Sequence, residues 1–453
     1  MTDTSAILNQ KSLVVVLAYA PTGLGHLRVT DALYHGLPKS VTPILLGAQD
    51  KSISYLHRIM SLHPLGRIVM EWIQQGWPER FFNLLYRRML WSKKELLYQQ
   101  IVTILDQRIV LPKTVLFVST HFGLTHQLAA VKSQIENSKK VKVILIVQVT
   151  DDSPQRVWYV PGADLIFVPS ERTKIGLMQF AHPAPKPAPK FEVVAYPVSP
   201  YLAKTGTDLL EKRKQQLDIN SKSAIHVALP ISGAAVWLNY YIELIETLAQ
   251  KSPRFVFHVI LKSNPYTQKF INQLLVKKFV KIYTAEHDRE IVDQYEQVYL
   301  ANPIAIEITK PSEQAFKSLL EPTQVGGSLL LFSDPVGRQE YDNLDFLIRH
   351  DLLPTTSEQS FLWEKAAHDL DLTDETGQSI KTRAGCWRGV MLPSRPKEAA
   401  DFIWWAMKQN LFWQTTFCQL KPHSQEVGHA HELGSDGVRI FWEKVAEFIK
   451  NIK

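Results

Sequence analysis

Cysteine is nearly missing from this chain. Its 453 residues hold two, Cys386 and Cys418, and no CxxC pair. That argues against a disulfide framework and against a Cys-based zinc site, and it fits a reducing compartment. Long apolar runs are missing as well. The longest charge-free stretch, Thr114 to Val131, is broken by Ser119, Thr120, His121, His126 and Gln127, which makes it a poor bilayer span. The first residues carry an early acid and only a short apolar run, so they do not read as a signal peptide. There is no large excess of either charge: 51 Lys and Arg stand against 44 Asp and Glu, a net +7. Such a moderate basic balance suits an anionic membrane surface, a nucleic acid or a phosphorylated substrate, and does not choose among them. No nucleic-acid motif stands beside it, and no nucleic-acid partner is expected.

What is present is ordinary globular composition, 45% hydrophobic and 21% charged, which excludes wholesale disorder. The length calls for two or three domains of about 150 residues each. Leu13 to Leu17 is a short β-branched run followed by Pro21, Gly23 and Gly25. It reads as a buried strand ending in a glycine turn, with helical periodicity from His26 to Leu33. Apolar runs recur at 43–46, 115–118, 143–147, 165–168 and 191–194. Strands of this kind alternating with helices argue for a parallel sheet covered on both faces. The pattern then restarts at Ala224–Leu229, runs through a helix near 236–249, and continues with strands near 255–261, 304–308 and 328–332. Two α/β halves follow, joined near 197–204, and ligands in such sheets bind at the carboxyl ends of the strands.

The candidate sites sit at those ends. Gly23-Leu24-Gly25-His26 combines glycines that admit a ligand with a helix N-terminus. The third glycine of a dinucleotide fingerprint is replaced by Arg28, so an oxidoreductase is disfavoured. Thr150-Asp151-Asp152 follows the strand at 143–149, with Trp158 close behind. Pro230 to Ala235 is a small-residue loop entering a helix, fit for a pyrophosphate but not a Walker A loop. Thr309-Lys310-Pro311-Ser312 is another strand end. Gln339 and Asn343 are four apart and share a face if their segment is helical. The stretch 79–94 places Phe81, Phe82, Leu85, Tyr86, Met89 and Leu90 on one helical face and Arg80, Asn83, Arg87 and Lys94 on the other. Such a stripe is either a core helix or a membrane-interface helix.

Taken in order, these segments resemble the monogalactosyldiacylglycerol synthase and processive diacylglycerol glucosyltransferase family, and are similar to the N-acetylglucosaminyltransferase that forms lipid II. The resemblance runs from about Leu13 to Leu347. It is carried by Val118-Ser119-Thr120-His121, Val149-Thr150-Asp151, Trp158, 161–164, 167–171 and 196–200, and by 337–343. The second half departs from the family: Ser312 and Glu313 stand for two glycines, and Ser318 for a ribose-binding Glu.

What the resemblance implies is an α/β GT-B fold, two Rossmann-like domains facing across a cleft. Residues 1–200 would be the acceptor domain, 201–436 the donor domain, and 437–453 a helix packing back on the first domain. The activity would be inverting transfer of a hexose from a UDP-sugar to a lipid hydroxyl such as diacylglycerol, with no cofactor and no bound metal. The alternative is a non-catalytic relative that binds a nucleotide-sugar or lipid. His26 would be the general base, and the ordinary imidazole pKa near 6.5 suits that role. Asp151 would orient it or share its role. Ser232, Gly233, Asn264, Thr309, Lys310, Ser312, Gln339 and Asn343 would hold the donor. Gly23, Gly25, Thr150 and Trp158 would hold the acceptor. Phe81, Phe82, Arg87, Arg88, Trp91 and Lys94 would dock on an anionic membrane, making the protein a peripheral one at the cytoplasmic face.

Overall fold

The computed structural model describes residues 4–19, 24–47, 94–181, 188–231, 233, 235–420 and 431–452. The chain forms two compact units: residues 1–200 with 422–453, and residues 201–421. The stretch expected to dock on a membrane lies outside the described residues, apart from Lys94. No helix among the described residues is long and apolar enough to cross a membrane.

The first unit opens with α1 (Thr4–Leu8), β1 (Leu13–Tyr19), α2 (Leu24–His35) and β2 (Ile44–Gly47). After the undescribed stretch come α3 (Lys94–Asp106), β3 (Thr114–Ser119), α4 (Phe122–Lys139) and β4 (Lys142–Gln148). Then follow β5 (Leu165–Val168), α5 (Glu171–Met178) and β6 (Lys190–Val193). All the pairings are parallel, in the order β2-β1-β3-β4-β5-β6. Val14, Val16 and Ala18 pack in one core with Leu97, Ile101 and Leu105 of α3 and Leu124, Leu128 and Val131 of α4. The intervening Val15 and Leu17 are equally buried. Both faces of the sheet are therefore covered, which is why these strands read as unbroken apolar runs. The final helix, Gly437–Asn451, belongs to this unit. Its Trp442 indole donates to the Leu33 carbonyl (2.9 Å), and Phe441 packs on Phe167 with ring centroids 4.6 Å apart. A Cβ at Gly437 would meet the Ala195 carbonyl oxygen at 2.2 Å, so only glycine lets the helix start there.

The second unit runs α6 (Leu209–Leu217), β7 (Ile225–Pro230), α7 (Leu238–Lys251), β8 (Phe255–Lys262), α8 (Gln268–Leu275), β9 (Val280–Ala285) and α9 (Asp288–Ala301). It continues with β10 (Ile306–Thr309), a 3₁₀ segment (Glu313–Leu319), β11 (Leu329–Phe332), α10 (Arg338–Arg349), α11 (Thr356–Ala367) and α12 (Glu375–Arg383). The last elements are β12 (Gly389–Met391), α13 (Pro396–Lys408) and α14 (Leu411–Gln414). Its parallel order is β12-β11-β10-β7-β8-β9, the order of a dinucleotide-type Rossmann sheet. The α/β class and the two Rossmann-type sheets expected from sequence are thus both present. Two strands fall outside that expectation. β9 is an edge strand whose Lys281 and Thr284 are exposed, so it has no continuous apolar run. β12 has only three residues. The Trp-rich stretch after residue 355 is core: Trp387, Trp405, Phe402 and Phe412 are buried in one cluster with β7 and β8.

Two arginines fasten the loop between the 3₁₀ segment and β11. Arg213 is completely buried and donates to the carbonyls of Ile304, Pro322, Gln324 and Val325 at 2.6–2.8 Å. Arg388 donates to Leu320, Gly327 and Ser328 at 2.7–3.0 Å. The entering chain pairs with the same loop, through Val325 N–H to Lys204 O and Gly206 N–H to Thr323 O.

A ladder of polar rings crosses β7, β8 and β9: His226 Nδ1 lies 2.9 Å from His258 Nε2, and His258 Nδ1 lies 3.1 Å from the Tyr283 hydroxyl. Burial, then the neighbouring His226 and Lys281, pushes His258 down to about 3. Above pH 6.5 the folded and unfolded chains both carry this ring neutral. Below it, the unfolded chain takes a proton that the folded chain refuses. Stability should therefore fall between pH 6.5 and about 3, by about 1.4 kcal/mol per pH unit. Urea unfolding at pH 7.5, 6 and 5 measures the slope. His258→Gln should remove about one proton from it, and an unchanged slope would contradict the assignment.

Candidate active site

In each sheet the chain reverses its direction of winding once, and ligands of open α/β sheets bind at that point, beyond the carboxyl ends of the strands. In the first unit it falls between β1 and β3, and in the second between β7 and β10.

His26 sits in the first turn of α2, next to the reversal in the first sheet. Its backbone carbonyl is held by Thr30 and Thr120, whose hydroxyls lie 2.9 and 3.1 Å away and 2.7 Å from each other. Two hydroxyl hydrogens serve three contacts, so the carbonyl always keeps at least one donor. Its Nδ1 lies 3.0 Å from the Thr150 hydroxyl. Thr150 in turn is fixed by the Tyr196 hydroxyl, which donates to its carbonyl at 3.0 Å. The ring is walled by His121 (4.9 Å between centroids), Phe122 (6.1 Å) and Trp158 (6.1 Å). It remains half-buried.

The neighbours are held as firmly. His121 caps α4, and its Nδ1 accepts from Leu124 N–H at 3.3 Å, so its other nitrogen carries the proton in the neutral ring. His126 Nε2 lies 3.0 Å from the Val157 carbonyl and steadies the turn before Trp158. Asp151 accepts from the Trp158 indole at 3.3 Å and from Ser153 N–H at 3.1 Å. Asp151 thus serves the pocket through Trp158, while the hydroxyl on the preceding residue meets the imidazole. Trp158 is 1% exposed. Gly25 lies in α2, and Gly23 lies outside the described residues.

In the second unit Gly233 follows β7, and Ser232 lies outside the described residues. Thr309, at the end of β10, is buried, and its carbonyl accepts from Ser333 N–H at 2.9 Å. Lys310 is ion-paired with Glu340, whose other oxygen accepts from Val336 N–H at 2.6 Å. Ser312 begins the 3₁₀ segment without a side-chain cap. Gln339 and Asn343 do share a helix, α10, but their surroundings differ. Gln339 is half-buried, whereas Asn343 is 1% exposed and its amide donates to the Pro311 carbonyl at 3.1 Å. Asn343 therefore braces the 309–312 loop from within. Asn264 spends its carbonyl oxygen on the turn into α8, accepting from Tyr266 and Thr267 N–H at 3.0 and 3.2 Å. Glu340 was not expected from sequence, although it lies between Gln339 and Asn343. A carboxylate three residues into a helix gives no sign of a lysine 30 positions away.

No family model matches the sequence, and no curated protein matches it. Solved structures with a similar course include UGT89C1 of Arabidopsis thaliana complexed with UDP-L-rhamnose, at 14% identity and a TM-score of 0.49, covering 96% of this chain and 98% of that one. MnaA of S. aureus in its co-structure with UDP has 10% identity and a TM-score of 0.46, covering 97% and 96%. A UDP-glucosyltransferase from Polygonum tinctorium has 12% identity and a TM-score of 0.45, covering 97% and 100%. These likenesses are loose, and the α/β assignment rests on the two sheets themselves.

Proposed function

We propose that the chain is an inverting UDP-sugar-dependent glycosyltransferase of the GT-B type, acting on a hydroxyl of a membrane lipid such as diacylglycerol. The observation that supports it most is His26. It is a half-buried imidazole at the switch point of a parallel sheet, fixed at Nδ1 by Thr150 and surrounded by aromatic rings. With the Nδ1 proton directed at Thr150, Nε2 would be the nitrogen that takes the proton of an acceptor hydroxyl. The oxygen attacks the anomeric carbon as the bond to the diphosphate breaks, and UDP leaves with the electron pair. Backbone N–H groups at Gly233 and Ser312, with Lys310, stabilise the departing charge. Glu340 already neutralises part of the charge on Lys310, so the N–H groups carry more of this task than the sequence suggests.

The test is transfer from radiolabelled UDP-glucose, UDP-galactose or UDP-N-acetylglucosamine to vesicles containing diacylglycerol and anionic lipid. Labelled lipid is expected with at least one donor. No labelled product with any of them would remove the activity. A second reading, a nucleotide-sugar binder without turnover, draws on Ser318. This residue stands where the resemblance puts a ribose-binding carboxylate, yet it is completely buried and its hydroxyl has no hydrogen-bond partner among the described residues. Calorimetry that finds UDP binding without transfer would favour it.

A further inference from the structure

Glu307, in β10, and Lys317, in the 3₁₀ segment, are 0% and 3% exposed. Lys317 Nζ lies 2.8 Å from Glu307 Oε2 and 2.6 Å from the Tyr299 hydroxyl, over whose ring it sits at 3.8 Å. The Tyr295 and Tyr299 hydroxyls donate to the same Oε2 at 2.8 and 2.5 Å, while Oε1 has no hydrogen-bond partner among the described residues. Burial and the neighbouring carboxylate hold the Tyr299 phenol well above its ordinary pKa, so it remains a donor. Tyr295 also reaches Gln314 Oε1 at 3.3 Å.

A fully buried ion pair of this kind returns little net stability, because desolvation offsets the attraction. Apolar side chains of the same volume would fill the space as well. What the cluster provides is geometry. Gln314 and Lys317 are three apart, so they lie one above the other on a 3₁₀ turn. Both are tied to groups on β10 and α9, and the segment can neither roll nor slide along the strand. On the other side, Asn343 and Glu340 hold Pro311 and Lys310. The loop between them is the one at the switch point of the second sheet.

We propose that Lys317 is a positioning residue for the nucleotide-sugar: through the 3₁₀ segment it sets where the N–H groups of Ser312 and Glu313 point, and these receive the diphosphate. The proposal rests on the donor role given above to the 309–312 loop. Lys317→Met alone would leave a buried carboxylate unpaired, so the test uses the neutral pair Lys317→Met with Glu307→Gln in the full chain. Melting within a few degrees of the wild type is expected. The KM for the UDP-sugar and the Kd for UDP should rise about tenfold or more, with kcat within about threefold. Amide exchange at Ser312 and Glu313 should accelerate at least tenfold, while β10 keeps its protection. A normal fold with unchanged KM, Kd and exchange overturns the proposal. If the wild type itself binds no UDP, the function proposed above fails, and the exchange rates at Ser312 and Glu313 decide this one alone. If the double variant does not fold, Gln314→Leu cuts the Tyr295 contact without touching a charge. It should move the same quantities in the same direction, and no movement overturns the proposal.

Discussion

His26→Ala should lower sugar transfer by about 10²–10⁴-fold, the usual contribution of a positioned general base. The fold should survive the change. The ring is half-buried, and the backbone contacts from Thr30 and Thr120 reach the His26 carbonyl, which alanine keeps. UDP affinity should stay within about twofold, because the donor contacts proposed above belong to the second unit. The result to look for is a loss confined to kcat, with unchanged melting and unchanged calorimetry. Equal turnover in the variant would take the base away from His26. Thr150→Val gives a graded comparison. It leaves the imidazole in place but removes the hydroxyl at its Nδ1, so activity should fall less, and Thr150→Ser should restore it.

Arg213→Met carries the largest expected effect on stability. The guanidinium is completely buried among four backbone carbonyls, with no carboxylate of the described residues bonded to it. Burial, helped by the positive charge of Arg388, lowers its pKa to about 9, so it is still charged at neutral pH. Methionine fills most of the space but withdraws the guanidinium donors from those carbonyls in a dry interior, although Gln324 O still accepts from Gly327 N–H at 2.9 Å. The expected loss is about 3–5 kcal/mol in the unfolding of the second unit, read by urea denaturation of the full chain. Arg213→Lys should recover little. An ammonium has three donors around one point, whereas the four carbonyls need a planar fork. A loss below about 1 kcal/mol would mean that water or a shifted loop replaces the donors.

Most of the strands were legible because a parallel sheet covered on both faces imposes unbroken apolar runs, and Leu13–Leu17 or Val143–Val147 can be little else. The strands that escaped are those where this logic lapses: β9 has solvent along its edge, and β12 is too short to show a pattern. The site was legible up to the strand ends and no further. A glycine turn followed by His26 marks a ligand position, but Thr150 and Asp151 are adjacent, and only the turn after β4 brings the Thr150 hydroxyl to the imidazole and Asp151 to the Trp158 indole. Glu307 inside Ile306-Glu307-Ile308-Thr309 looks like a flaw in an apolar strand. Its meaning lies in two tyrosines one helical turn apart and a lysine beyond the switch-point loop, and no local pattern joins them.

The split membership of the first unit has a consequence for biosynthesis. A ribosome that has released residues 1–200 has made most of that unit, yet the helix whose Trp442 bonds to Leu33 and whose Phe441 covers Phe167 follows only after the whole second unit. The second unit is continuous in sequence and can close first, although it begins later. During that interval one face of the earlier sheet waits for its final helix, exposing apolar surface to whatever chaperones attend the nascent chain.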